Sequence, residues 1–252
     1  MSASKEITKF LERYSENSRT ERLVAVFDAD GTLWQADAGD ELFEYQKSRH
    51  LMPSAPAQGD ELQAVYDAIL KSGDTRLAYE SVIKWNAGAS LEEMESWVAQ
   101  CWARPETKGR CVPIDVTQSL VRALHQRGFE VWVVSASNWW LVAHAVAPLG
   151  IPSERVIAGR LDVYDGRLTD KWLYPLPYRA TKTKAIADII GVWPKLVAGN
   201  SMGDYEMMLL AQELVLVINT AKPGDPYYET EQDLARHMTP TPSGAAWVLT
   251  AG

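Results

Sequence analysis

Two aspartates, Asp28 and Asp30, stand two residues apart where an apolar run ends in "RLVAVFDADGTLW". A strand that only fills a core has no use for paired acids at its end, so the pair either holds a turn or does chemistry. Alternate residues of a strand point to one side, which gives both carboxylates a common face. One carboxylate can attack phosphorus and form an acyl-phosphate. Its neighbour can act as acid and then as base. Gly31 permits a tight turn beside a bound anion. The turn reading stays open at this level, because Asp-x-Asp-Gly is also ordinary turn composition.

Matching groups end other apolar runs. Ser135 lies in "VVSAS", Asn200 closes "KLVAGN", and Asp204 follows in "GNSMGD". Lys182 and Lys184 fall in the first turn of the helical pattern "KTKAIADIIG". A hydroxyl, a lysine and a cation can together neutralise phosphoryl oxygens in a transition state. A group of acids and carbonyls suits Mg2+, a hard cation that prefers oxygen. Taken singly, Ser135 is a strand-end hydroxyl, Lys182 a solvated lysine and Asp204 a helix cap; order and context join them.

The elements that must position these groups are legible as a pattern. Short apolar runs at 23–27, 130–135, 195–200 and 214–219, with another near Val156, read as buried parallel strands. Helical patterns lie between them, one capped by Asp115 and closed by Gly128, another capped by Thr181 and closed by Gly191. This alternation predicts an α/β fold with a doubly wound, Rossmann-like parallel sheet, whose ligands bind beyond the carboxyl ends of the strands. Residues 35–112 break the alternation with four amphipathic helical segments, one carrying the capping box Ser90–Glu93. The predicted division is a core of residues 1–34 and 113–252 and a helical cap of residues 35–112, inserted after the first strand. "RLDVYDGRLTD" reads as a hairpin turning at Asp165-Gly166, residues 220–228 as a loop, and Ile7, Phe10, Leu11 and Tyr14 as one face of an N-terminal helix.

The 252 residues carry a formal net charge of −8, which argues against a nucleic-acid partner. Cys101 and Cys111 fit neither a metal spacing nor a disulfide framework. No stretch approaches a membrane span, and the N-terminal residues lack the apolar region of a signal peptide. The expectation is a cytoplasmic monomer or homodimer acting on a small molecule.

In order and strand context, "DADGT", "VVSAS", "RATKTKAI" and "AGNSMGDYEMM" resemble the four motifs of the haloacid dehalogenase superfamily of phosphotransferases, over about residues 22–33 and 112–219. The resemblance implies Mg2+-dependent hydrolysis of a small phosphomonoester through an aspartyl-phosphate. It makes Asp28 the nucleophile and Asp30 the general acid and base, with the Asp30 carbonyl also touching Mg2+. It places Thr32, Ser135 and Ala136 near the phosphate, and Lys182 as the motif lysine with Lys184 as its rival. Asn200 and Asp204 complete a metal site begun by Asp28 and Asp30. An acid at position 30 separates phosphatases from dehalogenases in this superfamily. One departure stands out: the fourth motif usually begins Gly-Asp, and this chain has Gly199-Asn200. Either Asn200 ligates through its amide oxygen, or Asp204 shifts inward, or activity is reduced.

The insert resembles the cap of the phosphoserine phosphatase branch, in which an acid nine residues after the nucleophile meets the substrate's amino group. Asp37 holds that position, with Asp40 and Glu41 as alternates. Ten tryptophans, among them Trp34, Trp85, Trp97, Trp102, Trp139 and Trp140, serve either packing or a cation–π cage for a quaternary ammonium. The cage reading extends the substrate candidates from phosphoserine to phosphocholine, as in the phosphorylcholine phosphatase branch. The same motifs are shared by phosphotransferases and mutases, and Asn200 leaves room for a phospho-ligand-binding protein of weakened catalysis.

Overall fold

The computed structural model describes residues 3–14, 21–225 and 227–250. Its centre is a six-stranded sheet in the order β3-β2-β1-β6-β7-β8, every neighbouring pair parallel. The strands are β1 (Val24–Phe27), β2 (Glu130–Asn138), β3 (Val156–Gly159), β6 (Leu196–Gly199), β7 (Leu214–Val217) and β8 (Ala246–Leu249). Between β3 and β6 in sequence, β4 (Leu161–Tyr164) and β5 (Arg167–Trp172) form a separate antiparallel hairpin, its turn made by Asp165 and Gly166 at φ 49° and 71°. Positive φ at both turn residues matches the right-handed twist of the flanking strands.

The strand period of two divides the apolar side chains between two faces. Ala25, Phe27, Val131, Val133, Leu196 and Leu214 join one buried cluster, while Val24, Val26, Trp132, Val134, Val197 and Val215 join the other. Helices cover both faces. The first carries α1 (Ala3–Glu12), with Ile7, Phe10 and Tyr14 buried as the spacing predicts, and α7 (Asp115–His125). The second carries α9 (Ala180–Ala185), α10 (Tyr205–Met208) and α11 (Tyr228–Arg236). A π-helical stretch, Ile186–Ile190, extends α9 until Gly191 ends it at φ 70°.

Five helices separate β1 from α7: α2 (Ala38–Lys47), α3 (Gly59–Lys71), α4 (Thr75–Lys84), α5 (Leu91–Ala103) and the short α6 (Pro105–Arg110). Ser90 and Glu93 form the expected capping box at α5. Leu42, Met94 and Val98 from α2 and α5 join the main cluster, whereas Phe43, Leu62, Tyr66, Ala78 and Trp85 form a smaller cluster of their own. Gly159 at the end of β3 marks a close approach: a Cβ there would stand 2.3 Å from Ile83 Cδ1 of α4 and 2.9 Å from Leu176 Cδ1.

Four local details differ from the sequence reading. Asp115 is the first residue of α7, not its cap; Ile114 holds that position without a side-chain bond. Thr181 lies inside α9, after Arg179 at φ 50°, and its hydroxyl accepts from the Tyr178 N–H at 2.9 Å. α8 (Trp139–Val146) follows β2 directly, and β8 adds an edge strand; neither was read from the sequence. The expected loop before α11 is irregular as read, with Pro226 outside the described residues.

Candidate active site

The carboxyl ends of β1, β2 and β6 lie side by side, and a cleft opens there. Asp28 and Asp30 from β1, Ser135 and Ala136 from β2, Lys182 from α9, and Asn200 and Asp204 beyond β6 all line it, together with Asp37 and Asp40 at the start of α2. Thr32 sits behind the cleft wall, fully buried, and donates to Asp28 Oδ2 at 3.3 Å. Lys184 is outside: it is exposed and pairs with Asp188 at 2.6 Å. Two residues along a helix turn by about 200°, so Lys182 and Lys184 face opposite ways and only Lys182 reaches the cleft.

Lys182 is the hinge of the charge arrangement. Its Nζ donates at 2.6 Å to Asp28 Oδ1 and at 2.6 Å to Asp204 Oδ1. Burial alone would lower the ammonium's pKa, but the two carboxylates outweigh it and hold it above the ordinary lysine value. Asp204 Oδ2 accepts from the N–H groups of Asn200 and Ser201 and from the Ser201 hydroxyl, each at 3.1 Å. With Lys182 on its other oxygen, Asp204 has both oxygens engaged in bracing the loop after β6.

Burial, then the charge of Asp204, pushes Asp28 up to about 7 against the pull of Lys182. Burial and the neighbouring Asp37 push Asp30 up to about 7 as well. Asp30 is held by Trp34 Nε1 at 2.8 Å and the Ala38 N–H at 2.7 Å, both donating to Oδ1, and by the Ser137 hydroxyl donating to Oδ2. Asp37 caps α2 by accepting from the Asp40 N–H at 3.1 Å, and burial beside Asp40 raises its carboxyl to about 7. Glu41, the other alternate, turns away from the cleft and pairs with Arg110 at 2.8 Å.

The tryptophan cage is not formed at this cleft. Among the described residues that line it there is no tryptophan. Trp34 spends its N–H on Asp30 and packs edge-on against Trp102 at 5.4 Å. Trp85 packs on Phe43, and Trp139 lies under the Arg160 guanidinium at 3.7 Å. The aromatic lining comes instead from Phe43, Tyr66, Tyr79, Tyr178 and Tyr227. Tyr66 and Tyr79 have a helical spacing that resembles core packing, Tyr178 and Tyr227 lie in irregular segments, and the sequence singles out none of the four, nor Ser137. The signal for Ser137 was present, since it shares the face of Ser135 at a spacing of two.

Five acids line the cleft, and among the described lining residues Lys182 is the one cation. A phosphate ester would add more negative charge, so this donor set calls for a compensating cation. Among the described residues no group of three or more His, Cys, Asp or Glu side chains is arranged to hold a metal ion. Each Asp28 oxygen takes one donor, Oδ1 from Lys182 and Oδ2 from Thr32, and keeps a further lone pair. Among the described residues, Asn200 Nδ2 is buried without a hydrogen-bond partner. It also fills the space over Gly31, whose φ is 72° and whose added Cβ would stand 1.9 Å away. Half a turn of that amide presents an oxygen from the same place, and the resulting set of hard oxygens fits a small divalent cation.

The fold is shared with several solved structures. A protein of unknown function from Bordetella pertussis Tohama I superposes with a TM-score of 0.68 at 19% identity, covering 92% of this chain and 99% of that one. A phosphoserine phosphohydrolase-like protein from Francisella tularensis subsp. tularensis SCHU S4 superposes at 0.53 with 17% identity, covering 85% and 92%. A substrate-bound phosphoserine phosphatase superposes at 0.51 with 16% identity, covering 88% and 100%. Among curated proteins, none matches the chain. The family model for haloacid dehalogenase-like hydrolases matches residues 25–209, which span β1 through the loop after α10 and hold both aspartates of β1, Lys182 and Asp204. The chain belongs to the haloacid dehalogenase-like hydrolase family.

Proposed function

We propose that the protein hydrolyses a small phosphomonoester through an aspartyl-phosphate on Asp28. The observation that carries this reading is the buried Lys182 bridging Asp28 and Asp204 at the foot of the cleft. It fixes a nucleophile-bearing strand end beside a cation that can follow phosphoryl oxygens. Asp28 attacks phosphorus while Asp30 gives a proton to the departing ester oxygen. Asp30 then takes a proton from the water that opens the acyl-phosphate. Ser135 and Lys182 hold the phosphate oxygens, and the main chain at Ala136 lies along their path. Mg2+, when bound, supplies charge neutralisation for the phosphoryl oxygens. Its holders would be the Asp28 carboxylate, the Asp30 carbonyl and the Asn200 amide oxygen, with Asp204 bracing the loop. Residues 35–112 act as the cap that shapes substrate access.

The cap side of the cleft supports an amino- or ammonium-bearing ester such as phosphoserine or phosphocholine. Asp37 and Asp40 supply negative charge there, and Tyr66 and Tyr79 supply aromatic faces. The test is phosphate release from phosphoserine, phosphocholine, phosphoethanolamine and sugar phosphates, with and without Mg2+, beside Asp28→Asn. Turnover lost in Asp28→Asn supports the reading, and turnover retained there overturns it. Asn200 in place of an acid favours one second reading, a phospho-ligand-binding protein; it predicts calorimetric binding of esters without release of phosphate.

A further inference from the structure

We infer that Ser137 is a positioning residue for Asp30, and that it makes Oδ2 the oxygen that gives and regains the proton. The inference rests on the reading of Asp30 as acid and base.

An ionised carboxylate has about four lone-pair sites, two on each oxygen. On Asp30 Oδ1 both are filled, by the Trp34 indole N–H and the Ala38 main-chain N–H. Both partners can only donate, so a proton on Oδ1 would face two hydrogens. On Oδ2 the Ser137 hydroxyl fills one site. Among the described residues the remaining site on Oδ2 has no protein partner, and Asp30 and Ser137 both line the cleft. The proton therefore belongs on Oδ2, on the side open to substrate. In the first step it moves from Oδ2 to the ester oxygen as the P–O ester bond breaks and the bond from Asp28 to phosphorus forms. In the second, a water proton returns to Oδ2 as the water oxygen attacks phosphorus and the acyl-phosphate bond breaks. Ser137 keeps its bond to Oδ2 in both states, so the carboxyl need not rotate between them.

The backbone explains why residue 137 can do this. The pairing of β2 with β3 shifts register between Val134 and Asn138. Such an irregularity re-aims side chains at a strand end. The Ser137 N–H donates to Ser135 Oγ at 3.1 Å, a contact that survives removal of the Ser137 hydroxyl.

The experiment measures kcat/KM for 4-nitrophenyl, phenyl and alkyl phosphates with the wild type, Ser137→Ala, Ser137→Thr, Ser137→Cys and Asp30→Asn. A general acid matters most for poor leaving groups and is worth about 10²–10⁴-fold. Asp30→Asn should lose little on the nitrophenyl ester and most on alkyl esters. Ser137→Ala should follow the same slope at smaller size, about 3-fold rising to about 30-fold. Ser137→Cys, a near-isosteric weak donor, should resemble Ala, and Ser137→Thr should restore the wild-type slope. An equal loss on every ester in Ser137→Ala and Ser137→Cys makes the role merely structural and overturns the inference. If Asp30→Asn shows the slope and the Ser137 variants do not, the inference alone fails. If Asp30→Asn shows no slope, the acid-base reading fails with it.

Discussion

Replacing Lys182 with Met tests the centre of the cleft. The Nζ lies 2.6 Å from one oxygen of Asp28 and 2.6 Å from one of Asp204, so those oxygens are at most twice that distance apart. Two unit charges about 5 Å apart repel by about 3 kcal/mol at an effective dielectric of about 20. Breaking a buried ion pair by removing one partner costs about 3–5 kcal/mol. Met occupies most of the lysine stem's volume, so the packing loss is small. The cost is electrostatic, and protonation of Asp28 relieves it. Asp28 already titrates at about 7 through burial and Asp204, and loss of Lys182 moves it higher. A carboxyl raised above its unfolded value contributes stability that is complete below the unfolded pKa and lost as pH rises through the folded pKa. The variant's deficit should therefore be small near pH 5, grow by at most about 1.4 kcal/mol per pH unit above 7 and reach about 3 kcal/mol near pH 9. That corresponds to a Tm lower by about 10 °C for a chain of this size. The assay is urea and thermal unfolding with chelator across that range. A wild-type midpoint at pH 9, or a deficit independent of pH, would refute the reasoning.

Three other substitutions probe the site and its frame. Gly31→Ala combines a left-handed backbone at φ 72° with a Cβ 1.9 Å from Asn200 Nδ2; circular dichroism should stay native while ester turnover falls more than about tenfold, given about 1–2 kcal/mol of strain plus a displaced Asn200. Glu231 on α11 is buried, accepts from the Ala221 N–H at 2.9 Å and is raised to about 7, by burial first and Asp225 as a minor cause. Its contribution is complete below its unfolded pKa and lost as pH rises toward 7, so Glu231→Gln should gain stability over wild type at pH 8 and none at pH 4 in thermal unfolding. Asn200→Asp adds a sixth acid to the cleft: the chelated protein should melt lower than wild type, and Mg2+ should raise its Tm by more, read by scanning calorimetry.

The sheet was legible because its inner strands are contiguous aliphatic runs, a composition that buried parallel strands require. β8 was not: "AWVL" is a short, partly exposed edge strand that follows the turn-forming "TPTPSG". α8, "WWLVAHAV", is apolar nearly all round, so it shows no amphipathic stripe. The site's polar groups were legible as strand-end residues in a fixed order. Spacing alone admits both Lys182 and Lys184; the motif resemblance favours Lys182, and the start of α9 at Ala180 turns that lysine inward. The aromatic lining escaped for a similar reason. A tyrosine on an amphipathic helix faces either core or cleft, and only the packing of α3 and α4 on their neighbours decides between them.

The seat of Ile83 against Gly159 has a consequence for motion. A single methyl lodged in a notch is worth roughly 0.8 kcal/mol on leaving water, about a fourfold bias between two populations. By that factor the contact favours α4 seated on the sheet edge over any arrangement in which it stands away. Gly159→Ala would act as a doorstop, with its Cβ 2.3 Å from Ile83 Cδ1. It should press α4 away from the edge of the sheet and raise KM, and because the same Cβ would stand 3.2 Å from the Ser137 carbonyl oxygen it should also disturb the seat of Asp30.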